Sequence, residues 1–263
     1  MKGAFYMNGV DMATLGGAGV LGAEAYPLTG MFNLPSRKGA TEYNWGTEIE
    51  AFVEDEDIEI GGRTLTLTAL VKGKNDREYQ ERLEGFKSTC IACEVLGSDF
   101  GDFNVIQRDD IGVTEYPWNR LGVVTVKFFE ERVFIPALGL SPTGGSGILL
   151  DGFNLRTDLG IGVSEIMDSR NPGKRIEVGT TSTYRQTIFR EKPTITLSCF
   201  MVGKDLVEIQ RKMGQLSALC VKPGKRVLTL EDGTTLDVYC KDGITARVEH
   251  ATAVTFDLKL RVI

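Results

Sequence analysis

With 263 residues the chain is long enough for one large domain or two modest ones, and 42% hydrophobic with 25% charged residues is the balance of a soluble globular protein. That excludes a disordered tail, a collagen-like fibre and a membrane protein. The formal net charge of −6 argues against a general nucleic-acid binder, because phosphate neutralisation requires a basic surface.

The N-terminal stretch MKGAFYMNGVDM lacks the apolar core of a signal peptide, and no run approaches the roughly 18 apolar residues of a membrane helix. The expectation is a protein folded in a cytoplasm, with no membrane contact. The cysteines Cys90, Cys93, Cys199, Cys220 and Cys240 are an odd set in a long chain, and are expected to be reduced and mostly buried. The single histidine, His250, excludes any mechanism that needs two imidazoles.

An internal repeat organises the chain. NGVDMATLGGAGV from Asn8 resembles DGFNLRTDLGIGV from Asp151. Residues around SRKGATEYNWGTEIE, before Thr64, are extra in the first copy and are expected to form a loop or long hairpin. TLTLTALVKGKNDREYQERLEGF from Thr64 then aligns without gaps on TITLSCFMVGKDLVEIQRKMGQL from Thr194, an offset of about 130. The same offset carries Cys90 onto Cys220 and VVTVKF from Val123 onto AVTFDL from Ala253.

Within each copy the period changes in the same order. Leu65, Leu67, Ala69 and Val71 alternate with threonines, as do Ile195, Leu197, Cys199 and Met201, which predicts a half-buried strand. Tyr79, Leu83 and Phe86, and Leu206, Ile209, Met213 and Leu216, fall at helical spacing, with Asn75 and Asp205 as N-caps. VLTL from Val227 and TLDVY from Thr235 flank Asp232-Gly233, a hairpin signal, and Val254, Phe256, Leu258 and Leu260 alternate in a last strand. The expected fold class is α+β, mainly β. It would comprise two tandem antiparallel β-sandwich or barrel domains, 1–134 and 148–263, each with one packed helix, joined by a flexible Pro- and Gly-containing linker over 135–147.

Motifs that could carry chemistry fail on context. Gly17-Ala-Gly-Val-Leu-Gly22 matches GxGxxG, yet Pro27 and Gly30 leave no room for the helix that a dinucleotide site needs. Cys90-Ile-Ala-Cys93 has no second ligand pair, and Cys93 aligns with Pro223. Ser146 and His250 come with no third group that orients a base. The expectation is therefore no enzyme, no cofactor and no metal. Glu54, Asp55, Glu56 and Asp57, with Glu48, Glu50 and Glu59, form an acidic segment whose plainest reading is a solvated face, and which lacks the turn glycine and ligand spacing of a calcium loop.

The second half, ILLDGFNLRTDLGIGV (148–163) followed by KPTITLSCFMVGKDLVEIQRKMGQL (192–216), a hairpin and AVTFDLKL, resembles the distal tail and tail-tube proteins of long-tailed bacteriophages. NGVDMATLGGAGV and TLTLTALVKGK extend that resemblance loosely to the first half. It implies a structural virion protein, assembled in the bacterial host cytoplasm into a tail ring around the DNA channel as tube, distal cap or baseplate hub. With the domain duplicated, three chains would make a trimer of pseudo-sixfold symmetry, and a hexamer is the other closed solution. On this view DNA slides past the acidic residues Glu48, Glu50, Glu54, Asp55, Glu56 and Asp57 without binding, since like charges repel. Phe32 to Gly46, with Tyr43 and Trp45, would meet a neighbouring ring or other tail protein. The alternative is a carbohydrate-binding or adhesin-like β-sandwich at the phage tip, using Tyr43, Trp45, Tyr116 and Trp118.

Overall fold

The computed structural model describes residues 5–15, 17–19, 26–38, 42–44, 49–51, 58–169, 175–178, 184–187 and 193–263. Its first half runs β1 (Tyr6–Met7), β2 (Val10–Asp11), β3 (Gly17–Gly19), β4 (Leu28–Thr29), β5 (Glu42–Asn44), β6 (Ile49–Ala51) and β7 (Arg63–Lys72). Helix α1 (Asp76–Ile91) follows, then β8 (Val95–Ser98), β9 (Gly101–Asn104), β10 (Ile106–Gln107), β11 (Gly112–Tyr116) and β12 (Leu121–Glu130). The second half runs β13 (Leu149–Leu150), β14 (Phe153–Asn154), β15 (Ile161–Asp168), β16 (Arg175–Val178), β17 (Tyr184–Thr187) and β18 (Thr194–Val202). Helix α2 (Leu206–Val221) precedes β19 (Arg226–Thr229), β20 (Thr235–Cys240), β21 (Ala246–His250) and β22 (Ala253–Val262). Mainly β, with antiparallel sheets and two α-helices among the described residues, this is the α+β class that the alternation and the helical spacings predict.

Strand order repeats between the halves. In the first, β12 lies between β7 and the pair β10 and β11, and β7 carries β3 and β4 on its far side. In the second, β22 lies between β18 and the pair β20 and β21, and β18 carries β15. The differences are local. β9 and β10 are separated at Val105 where β20 is continuous, so strands that form one eight-stranded sheet in the second half are split between a four-stranded and a six-stranded sheet in the first. The second half also has a hairpin of its own, β16 with β17, between β15 and β18, so the β5–β6 hairpin is not peculiar to the first half as the sequence suggests.

Pairing register corrects the constant offset. Ala69 faces Val124, whereas its counterpart Cys199 faces Phe256, two residues beyond the partner that an ungapped alignment gives. Both halves open on a two-residue turn in left-handed conformation, Asn8-Gly9 and Asp151-Gly152, a hairpin geometry that favours Asn, Asp and Gly. Asn8 Oδ1 accepts from Val95 N at 3.0 Å and Asp151 Oδ1 from Val227 N at 2.8 Å, tying each first hairpin to the strand after the helix.

The helices start and pack as their sequences dictate. Asn75 Oδ1 accepts from Glu78 N at 2.9 Å and Asp205 Oδ1 from Glu208 N at 2.8 Å, satisfying donors that a helix N-terminus leaves orphaned. Tyr79, Leu83, Phe86 and Cys90 are buried on α1, and Leu206, Ile209, Met213 and Leu216 on α2. The chain between the halves is not the loose connector expected. Gln215 on α2 accepts from Gly139 N at 2.7 Å and donates to Ala137 O at 3.3 Å, and Asp158 holds Thr143, so this stretch is laid onto the second half. The buried apolar side chains of both halves form one continuous core.

Candidate assembly interface

Besides the shared core and a bond from Gln210 Nε2 to Phe100 O at 2.9 Å, the halves are joined by an arm, Met31–Arg37, leaving β4. Gly30 turns the chain with φ +87°, and a Cβ there would lie 2.2 Å from Thr64 O, so only glycine fits against β7. Arg63 anchors the arm: its Nη1 donates to Met31 O at 2.6 Å and Asn33 O at 3.2 Å, while its Nε pairs with Glu130 Oε2 at 2.6 Å.

The arm docks on the corner between β20 and β21. Leu34 N donates to Ile244 O at 2.9 Å and Ile244 N to Leu34 O at 2.8 Å. Ala246 N donates to Asn33 Oδ1 at 2.8 Å, and Arg37 N to Lys241 O at 3.1 Å. Gly243, with φ +72°, permits this approach, since a Cβ there would lie 2.3 Å from Leu34 O. Leu34 and Ile244 are buried together, a burial on the order of 1.5–3 kcal/mol for each side chain.

Electrostatics at the junction follow from burial. The Arg37 guanidinium lies over the Tyr239 ring, 5.4 Å from its centroid, a cation–π contact. Desolvation draws the Arg37 pKa below its ordinary value, partly offset by Cys240 and Tyr239, and burial pushes the Tyr239 hydroxyl up to about 12. Beside the arm a cleft of about 390 Å³ runs between the halves, lined by Phe32, Arg63, Phe134, Val207, Gln210 and Gln215 among others. The arrangement joins two sheet units through backbone pairing and apolar packing. Among the described residues no group of three or more His, Cys, Asp or Glu side chains is placed to hold a metal ion.

The residues singled out in the sequence fall as follows. Glu48, Glu54, Asp55, Glu56, Asp57 and Trp45 lie outside the described residues. Tyr43 and Glu50 are directly opposite in the β5–β6 register. Phe32 and Leu34, at the start of the segment expected to meet a neighbouring ring, are instead buried within the chain. Trp118 lies in the turn between β11 and β12 and Tyr116 precedes it, 98% and 47% exposed. Gly17 and Gly19 of the GxGxxG match lie in a strand paired with Val71 and Ala69. The five cysteines are free and buried, with Cys90 Sγ against Met7 Sδ at 3.9 Å and Cys93 Sγ donating to Val95 O at 3.4 Å. Ser146 lies in the stretch between the halves, its carbonyl accepting from Asn154 at 2.8 Å, and His250 is exposed at the end of β21. No helix among the described residues is long and apolar enough to cross a membrane.

Sequence reasoning missed the arm and its corner. The available signal was a departure from the repeat: where the first half has Arg63 opposite Glu130, the second has Pro193 opposite Val262. Compared with protein-family models and with curated proteins, the chain finds no match.

Proposed function

We propose that this protein is a structural component of a long-tailed bacteriophage tail, built from two tandem units, 1–134 and 148–263, that assemble into a ring around the DNA channel. The observation that carries this reading is the contact between the halves. Two units with the same strand order meet through unlike surfaces, an arm on one and a corner on the other. Such a heterologous contact, repeated, closes into rings or runs on as filaments. Three chains supply a trimer of pseudo-sixfold symmetry, and six chains a hexamer of doubled units. Glu48, Glu50 and Glu54 to Asp57 would face the channel, and Tyr43 and Trp45 the neighbouring ring or another tail protein.

Light scattering and negative-stain imaging test the reading. A closed particle of three or six chains with a central hole supports it, and a filament of indefinite length or a strict monomer at high concentration counts against it. A second reading, a carbohydrate-binding module at the phage tip, draws on the exposed Trp118 and Tyr116 at one turn. Binding to a glycan array that disappears in Trp118→Ala would favour it.

A further inference from the structure

We propose that the corner Ile106–Val113 of the first half is a docking surface for a second copy of this chain, which approaches with its own second half. The proposal rests on the self-assembly part of the reading above and on none of its DNA chemistry.

Register fixes the equivalence. β12 and β22 correspond with Phe129 at Arg261 and Val124 at Phe256, because these residues face equivalent positions on β7 and β18. Ile106 pairs with Phe129 and Tyr239 with Arg261, so Ile106 stands where Tyr239 does. Val113 pairs with Val124 and Ala246 with Phe256, so Val113 stands where Ala246 does. Both flanks give the same spacing, and the corner between them aligns without a gap: Arg108, Asp109, Asp110 and Ile111 stand at Lys241, Asp242, Gly243 and Ile244.

The two corners differ in what covers them. Tyr239 and Ile244 are 3% and 2% exposed, under the arm. Ile106 is 52% exposed, Ile111 is half-buried, and Arg108, Asp109, Asp110 and Gly112 are exposed. Ile106, half out of water, and the partly buried Ile111 stand where the twin corner buries Tyr239 and Ile244, which marks the unoccupied side of a heterologous contact. The chain's own arm is already spent on its own second half, so the occupant comes from another molecule.

Position 110 sets the two corners apart. Gly243 turns the second-half corner in the left-handed region with φ +72°, whereas Asp110 does not adopt positive φ, so the first-half corner turns differently at this point. The intermolecular contact is centred on the apolar residues Ile106 and Ile111.

The test uses the full chain. Wild-type protein should show a molar mass of several chains by light scattering. Ile106→Glu should remain a monomer at the same concentration, with unchanged circular dichroism. In wild-type background, a photocrosslinker at position 106 should join to residues beyond 148 of another copy, located by mass spectrometry. That second measurement decides the matter if Ile106→Glu does not fold. Rings that form with crosslinks elsewhere, or that survive Ile106→Glu, overturn this assignment and leave the ring reading standing. A wild-type chain that stays monomeric at all concentrations overturns both.

Discussion

Arg63 and Glu130 face each other across β7 and β12, Nε to Oε2 2.6 Å, with side chains only 11% and 6% exposed. The same guanidinium holds the carbonyls of Met31 and Asn33, so one cation serves the sheet and the arm. Breaking a buried pair by removing one partner costs about 3–5 kcal/mol, because the other charge is left unpaired. Glu130→Ala should destabilise by about that much in chemical denaturation. Arg63→Met with Glu130→Leu together should cost less than the sum of the two single removals, and the cost that remains is that of the Met31 and Asn33 carbonyls that Arg63 also holds.

Gly243 and Gly233 separate backbone strain from steric exclusion. Both have positive φ, +72° and +83°, but a Cβ at Gly233 meets nothing within 4 Å. Gly233→Ala should cost only the left-handed strain, about 1–2 kcal/mol. Gly243→Ala should cost more and should also release the arm, seen as faster hydrogen exchange at the amides of Leu34 and Ile244.

The helix caps are separable in the same way. Asn75→Ala and Asp205→Ala should each lower stability by about 1 kcal/mol, read from denaturation midpoints. Asp205→Asn should recover most of its loss, since an amide oxygen accepts the Glu208 N–H as a carboxylate does.

Burial pushes the Cys90 and Cys199 thiols up to about 12 from 9.0. Above pH 9 the unfolded chain gives up these protons while the folded chain keeps them. Stability should therefore fall as pH rises from about 9 towards 12. Cys90→Ala and Cys199→Ala should each flatten that slope, whatever they cost in packing. In the native protein both should also resist alkylation at pH 8 and react once denatured.

Trp118 is 98% exposed. Trp118→Ala should leave stability within about 0.5 kcal/mol while lowering the iodide-quenchable tryptophan fluorescence.

The long strands and both helices were legible because each buries one face, and one face writes a period into the sequence: Leu65 to Val71 and Ile195 to Met201 are buried as the alternation requires. The register shift of the last strand was not legible for the same reason. A slip of two residues returns every side chain to its own face, so Val124 matches Val254 or Phe256 equally well in pattern, and only backbone pairing decides. The arm left no period at all. It meets its corner through a few backbone bonds between residues far apart in sequence, and what marks them is Gly30, Gly243 and the Arg63–Glu130 pair rather than any run of apolar residues. The Asn8-Gly9 turn is legible as a two-residue hairpin signal near the start of the first half.

The distance along the chain between the arm and its corner sets a delay during synthesis. Asn33 and Ala246 are 213 residues apart, which at about 5–20 residues per second leaves Leu34 without its cover for roughly 10–40 seconds on the ribosome. For that interval the growing chain displays an apolar, extended ribbon anchored at one end by Arg63. Two nascent chains on one messenger would each offer that ribbon before either had made its own Ile244, so the spacing of ribosomes bears on whether the ribbon is first met by its own chain or by a neighbour's.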